Sequence, residues 1–229
     1  MLIRQTSILR GEGTLYPYVW QAAAPYYYVA YPMSFPCDSR IFGRSSKGCI
    51  SQAESDLRNE FRMLWEEHVA WTRMLIISIA SDLKDEALVT QRLLRNAPDM
   101  AAVFRRYYGD QVASRFNDLM TQHLVIADQL VKAAKAGDTA ATADAEKRWY
   151  ANADEIAVFL SGINPYWPKN DVAKMMHEHL RLTKSEAVNR LNQNFAADIS
   201  DYDKIEQQAL MMADVFTDGI VKQFPNQFQ

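Results

Sequence analysis

The chain has 229 residues, 48% of them hydrophobic and 23% charged, with a net charge of −3. These values describe a globular domain with enough material for one good core. They offer no basic field to neutralise a nucleic-acid backbone, so DNA or RNA binding is not expected, and the longest apolar stretches, such as residues 74–80, are far short of the ~20 residues a membrane helix needs.

Residues 1–55 differ in chemistry from the rest. They hold six of the eleven tyrosines (Tyr16, Tyr18, Tyr26, Tyr27, Tyr28, Tyr31) and four prolines (Pro17, Pro25, Pro32, Pro36). No helical or alternating period survives there, and each proline removes a backbone donor. An irregular or disordered segment is expected, sticky enough to pack on the remainder or on a protein partner. Arg4 and Arg10 are followed by no continuous apolar run, so a secretory leader is not expected. The two cysteines, Cys37 and Cys49, are too few for a disulfide framework, and a reducing, cytoplasmic setting is the expectation.

Residues 56–229 read as one helical-bundle domain. The first helix is expected over 56–82, with Leu57, Phe61, Leu64, His68, Trp71, Leu75 and Ile79 on one face. That is three-to-four spacing. The second, over 86–107, aligns Leu93, Asn96, Met100 and Val103. Gly109 marks its end, and the third helix, over 111–136, repeats the first pattern with Val112, Phe116, Leu119, His123, Ile126 and Leu130. The fourth, over 139–161, carries Trp149, Asn152, Ile156 and Phe159. Gly162, Pro165 and Pro168 break the chain before a fifth helix over 170–196 and a sixth over 200–222. Glycine after a periodic run, or proline just beyond it, is the usual stop signal. The links at Lys84-Asp85, at Gly137-Asp138 and over residues 198–201 are short and polar, which favours antiparallel neighbours.

An offset of 55 to 56 residues aligns the domain with itself three times. His68, His123 and His179 fall in register, preceded by Leu64, Leu119 and Met175. Farther on, Arg92, Arg148 and Lys204 match, each followed four residues later by Asn96, Asn152 or Gln208 and then by alanine. Such a period signals a duplicated supersecondary unit. The expected fold is therefore all-α: an up-and-down bundle of about six helices, built from three pseudo-repeated αα-hairpins. In the second copy His123 and Asn152 stand level. In the first copy the pair is offset by about four residues, ~6 Å at the rise of an α-helix. The third copy, with its turn at 198–201, fits poorly, so a symmetric three-histidine cage is not expected.

Three readings of this buried layer stand side by side. Histidine–amide pairs satisfy each other's hydrogen bonds and fix register between helices. Alternatively, His68, His123 and His179, with Glu67 beside the first, are ligands for a transition-metal ion such as Fe, Zn or Mn. Thirdly, Arg92, Arg148 and Lys204 with the amides of Asn96, Asn152 and Gln208 hold a small anion. His177 and His179 point too far apart on one helix to chelate together. There is no glycine-rich phosphate loop, serine elbow or paired-cysteine zinc motif.

The runs Met63-Leu64-Trp65-Glu66-Glu67-His68-Val69-Ala70-Trp71-Thr72-Arg73, Arg92-Leu93-Leu94-Arg95-Asn96 and Lys147-Arg148-Trp149-Tyr150-Ala151-Asn152-Ala153-Asp154, with the ending Gly219-Ile220-Val221-Lys222-Gln223-Phe224-Pro225, resemble a family of bacterial helical proteins often labelled acetylglutamate kinase. The likeness covers about 56–229. The label implies a kinase activity, and the resemblance carries over no catalytic residue. Glu67, His68 and Arg73 also resemble, over a short stretch, bundles of the ferritin-like and hemerythrin-like kind, some of which bind iron. From the residues themselves the expectation is a binding protein with a metal or small-anion site at mid-bundle. The alternatives are a coat-type or interaction protein acting through residues 1–55, or an enzyme, either that kinase or an iron oxidase.

Overall fold

The computed structural model describes residues 50–229. Cys37, Cys49 and the Tyr/Pro-rich segment up to residue 49, including its suggested role toward a partner, lie outside the described residues. Within them every regular element is helical: α1 (Gln52–Ala80), α2 (Glu86–Leu94), α3 (Asn96–Lys135), α4 (Thr139–Ile163), α5 (Lys169–Leu191), α6 (Phe195–Gln223) and a closing 3₁₀ turn, Pro225–Gln227. None of these helices is long and apolar enough to cross a membrane.

The helices begin and end for local reasons, and these correct several expected boundaries. α1 starts four residues earlier than its apolar stripe suggests, because Ser51 caps it: the Glu54 amide donates to Ser51 Oγ at 3.2 Å. Glutamate three residues after the capping serine is the capping-box arrangement. The expected second helix is divided at Arg95, between α2 and α3. Pro98 has no N–H for the Leu94 carbonyl, so the ladder is interrupted one turn upstream. Gly109 is the expected break, but the chain does not leave the helical path there for long. A single residue at φ 82°, ψ 178° kinks α3 into segments 96–108 and 110–135.

The largest correction concerns the third turn. It lies at residues 192–194 and not at 198–201, which form the first turns of α6. The same two backbone bonds close all three turns. Asp82, Gly137 and Gln193 have positive φ. Their amides donate to Ile79, Ala134 and Arg190, and the next amides, of Leu83, Asp138 and Asn194, donate to Ser78, Ala133 and Asn189. This is the Schellman closure, which wants glycine at the left-handed position. Only the middle turn has one.

α1 packs on α6, α6 on α5, α5 on α4, α4 on α3, and α3 back on α1. The enclosed core is uneven along its length. At the end where α1 and α5 begin, Phe61, Phe104, Phe116, Phe216 and Trp167 are all buried. Phe104 stacks on Phe116 at 4.0 Å between centroids, and Trp167 meets Phe216 edge-on at 5.3 Å. Trp167 donates to the Val215 carbonyl at 3.0 Å and presses on Gly219 so closely that a Cβ there would lie 2.6 Å from its Cε2. Beside it Asn164 Nδ2 donates to the Tyr108 hydroxyl at 2.9 Å, which donates to Gln223 Oε1 at 2.8 Å. The opposite end, where the three closed turns gather, is packed with smaller side chains.

Candidate functional site

Halfway along the core, α1, the second segment of α3, and α5 each place a histidine on the buried face: His68, His123 and His179 are 2 to 3% exposed. Each Nδ1 meets an amide oxygen from another helix: the start of α3 for His68, α4 for His123 and α6 for His179. His68 pairs with Asn96 at 3.3 Å, His123 with Asn152 at 2.8 Å and His179 with Gln208 at 2.9 Å. The nitrogens of those amides donate to the carbonyls of Leu64, Leu119 and Met175, at 2.9, 3.1 and 2.9 Å. Those carbonyls lie four residues before each histidine, and each has a second lone pair beyond its helical bond.

This arrangement decides the tautomers. A carbonyl can only accept, so the amide nitrogen must face it and the amide oxygen must face the ring. The ring therefore donates through Nδ1–H, and its lone pair is on Nε2. The third pair closes as well as the second, contrary to the poor fit expected, because its turn comes six residues earlier than residue 198. The first pair also closes despite the offset expected for it.

Burial holds all three rings neutral. His123 and His179 are pushed down to about 4, by burial above all. His68 is also well below the usual histidine range, through burial and then the proximity of His179 and His123. The rings are not equidistant. His68 and His179 lie 5.5 Å apart, with Trp65 against both at 5.4 and 6.2 Å. His123 lies against Trp149 at 5.4 Å. Among the described residues no three His, Cys, Asp or Glu side chains form a group able to hold a metal ion.

The remaining candidates lie outside this layer. Glu67 pairs with Arg92 at 2.9 Å, and the Arg92 guanidinium covers the Trp71 ring at 4.9 Å. Arg148 bonds Asp144 at 2.7 Å and Gln129 at 3.0 Å. Lys204 bonds Asp201 at 2.8 Å. Each of the three cations thus has a neighbouring carboxylate, while the buried Arg92 Nη1 has no hydrogen-bond partner. His177 bonds Asp154 at 2.8 Å on the surface.

Two features of the site were missed. The first is a buried ion cluster toward the turns. Arg73 of α1 reaches Glu186 of α5 at 2.5 Å and Asp198 of α6 at 2.7 Å, and Arg190 meets Asp198 at 3.3 Å. Burial pushes the Glu186 carboxyl up to about 7 against the pull of Arg73. Three separate helices supply these groups, so no spacing in the sequence announces them. Asp198 also lay in what reads as a polar turn.

The second is a hollow. One turn beyond the histidines stand Thr72, Ala127 and Thr183, and a further turn on are Ile76, Val131 and Ala187. With Trp149 they border a cavity of about 50 Å³. The threonine hydroxyls are turned back to the His68 and His179 carbonyls, at 2.7 and 2.9 Å, which leaves an apolar wall. The signal was present in the sequence as small residues at one register position of all three copies.

Comparison with known proteins finds no matching family model, no matching curated protein and no matching solved structure.

Proposed function

We propose that the chain acts by binding, as an up-and-down bundle of three copies of one αα-hairpin, with its ligand site in the interior at and just beyond the histidine layer. The threefold reading is supported by the recurrence of one hydrogen-bond pair at His68, His123 and His179 and of one turn closure at Asp82, Gly137 and Gln193. The binding reading is carried by one observation: the hollow occurs where Thr72, Ala127 and Thr183 are small together. Protein interiors are close-packed, and departures from good packing collect at functional sites. Apolar cavities stay dry and take up xenon. The test is xenon pressure on the ¹⁵N-labelled protein. Amide shifts centred on residues 72–76, 127–131 and 183–187 are expected, and their loss in Ala127→Leu. Unmoved resonances there would remove the reading.

A metal in the layer has one observation in its favour. Each imidazole gives Nδ1–H to an amide oxygen, the outer-shell contact that orients a ligating histidine and leaves Nε2 for the metal. Dialysis against Fe, Zn or Mn followed by elemental analysis tests it: one equivalent held by the native chain and lost in His179→Leu supports a centre, and an empty protein sinks it. An anion site at Arg92, Arg148 and the amides has less support, since those cations are neutralised locally. The kinase of the family label needs nucleotide phosphates held by glycine-rich turns of a largely parallel sheet, whereas the elements over residues 50–229 are helical. ATP turnover with N-acetylglutamate is expected to be nil, as is ferrous oxidation.

A further inference from the structure

Two carboxylates are buried side by side at the turn end, and they are not served alike. Asp198 accepts from Arg73 Nη1 at 2.7 Å, from Arg73 Nη2 at 3.3 Å and from Arg190 Nη1 at 3.3 Å. Glu186 is 1% exposed, and among the described residues its carboxylate accepts from Arg73 Nη1 alone, at 2.5 Å to Oε1. An ionised carboxylate offers about four acceptor sites, and a buried charge is tolerated only when it is paired and hydrogen-bonded. Glu186 is therefore the member of the cluster best suited to carry a proton, which agrees with its upward displacement to about 7 by burial.

The place of Glu186 gives that proton a consequence. α5 carries Glu186 and Arg190 toward the cluster, and Thr183 and Ala187 on the wall of the hollow. α1 likewise carries Arg73 toward the cluster, and Thr72 and Ile76 on the wall. The Arg73–Glu186 contact thus fastens together two of the helices that enclose the hollow.

We infer that Glu186 is a proton-controlled latch on the interior site: protonated, it lets α5 close against α1 and α6, and ionised, it draws water into the seam, loosens the turn half of α5 and speeds exchange of whatever the hollow holds. This rests on the reading of the interior as the binding site and adds its regulation. The groups facing Glu186 are Arg73 from α1, Asp198, Asp201 and Tyr202 from α6, and Arg190, on its own helix, through Asp198. Against burial, the bonds to Asp198 and Glu186 hold Arg73 above the arginine range, and bonds from Lys204, Ser185 and Asn189 hold Asp201 below the carboxylate range. Burial pushes Tyr202 up to about 12. None of these three changes charge near neutral pH, so a response there belongs to Glu186.

The probe is xenon, with saturation transfer between free and bound ¹²⁹Xe in the full-length chain at pH 6 and pH 8.5. Release is expected to be about tenfold faster at the higher pH, where Glu186 is mostly ionised. Glu186→Gln, uncharged at both, should bind xenon and release it slowly at both. Glu66→Gln should keep the step, although the Glu66 carboxyl on α1 is also raised, by burial and by Glu206. Equal rates in the native chain at the two pH values, or a step that survives in Glu186→Gln, would overturn the latch and keep the interior site. No bound xenon at either pH would overturn both. The Glu186 carboxyl carbon, titrated by NMR in the native chain, gives a readout independent of any variant's folding: a midpoint near 7 is expected, and an ordinary carboxylate midpoint would overturn the latch.

Discussion

The two ends of the bundle are built from the same helices and packed to different standards. Seven residues before the histidines, α1 and α3 carry Phe61 and Phe116, and these pack on Phe104 and Phe216, against which Trp167 closes. Four residues after the histidines the corresponding positions are Thr72, Ala127 and Thr183, and a hollow remains. The aromatic end is held by dispersion and close contact; the turn end is held by an ion cluster, Arg73 with Glu186 and Asp198, and has room inside. A domain selected only for stability gains by filling the second end as it filled the first. The contrast locates the place where stability has been given up.

Acid should break the molecule from the middle. Burial pushes the His123 and His179 rings down to about 4 in the fold, from the ordinary 6.5. The unfolded chain therefore takes up protons first. Their contribution is fully present above pH 6.5 and is lost as pH falls from 6.5 through about 4. At ~1.4 kcal/mol per unit the loss is about 3 kcal/mol for each ring. Glu186 runs the other way: raised to about 7 from 4.5, it favours the fold most below pH 4.5 and gives that up as pH rises through about 7. Urea midpoints across pH 4 to 8 should show a steep acid limb, and Glu186→Gln should flatten the shallower limb on the alkaline side. An acid limb that is absent would mean the rings are hydrated.

At the aromatic end the largest single-site effect belongs to Gly219. A methyl group there overlaps the Trp167 indole, whose position is fixed by the bond to Val215 and by three packed rings. Gly219→Ala should cost roughly 3 kcal/mol or more, the range of core overpacking in a site that cannot relax. A fall in Tm together with a changed Trp167 emission checks it. A neutral result would show that Trp167 has another place to go.

Enlarging one residue at each end tests the comparison most directly. Phe116→Trp, placed against the stacked Phe104, should destabilise by about 1–3 kcal/mol. Ala127→Val, facing the hollow, should stabilise by up to about 1 kcal/mol, from ~24 cal/mol for each Å³ of the 50 Å³ filled. Opposite signs in chemical denaturation are the expected outcome. Equal losses would mean that the hollow is not soft.

Much of this was legible in advance, and the limits of legibility are physical. Apolar periodicity placed His68, His123 and His179 on buried faces, and the 55-residue offset paired them with Asn96, Asn152 and Gln208, because both signals are local or repeated. The ion cluster was invisible because Arg73, Glu186 and Asp198 meet only through tertiary packing. The unpaired indole N–H groups of Trp65 and Trp149 gave no sign either, since a tryptophan at helical spacing reads as core whether or not its N–H finds a partner. Arg92 and Arg148 read as an anion pair because their register matches, but register says nothing about the carboxylates of Glu67 and Asp144 that take them up.

The third turn failed for a reason that yields the smallest prediction. Turns of this type are found in sequence by their glycine, and Gly137 shows the middle one. Gln193 occupies the same position with φ 61°, and Asp82 with φ 52°. A side chain in the left-handed region costs about 1 kcal/mol that glycine avoids, partly offset by the greater freedom glycine has when unfolded. Gln193→Gly should therefore stabilise by roughly 0.5 kcal/mol, with Asp82→Gly gaining less because the Asp82 carboxylate also receives the Lys135 ammonium. Both substitutions lie at the turn end, beyond the hollow, so the amide shifts under xenon pressure should not change. A stabilised turn that weakened xenon uptake would show that the opening and closing of this end admits the ligand.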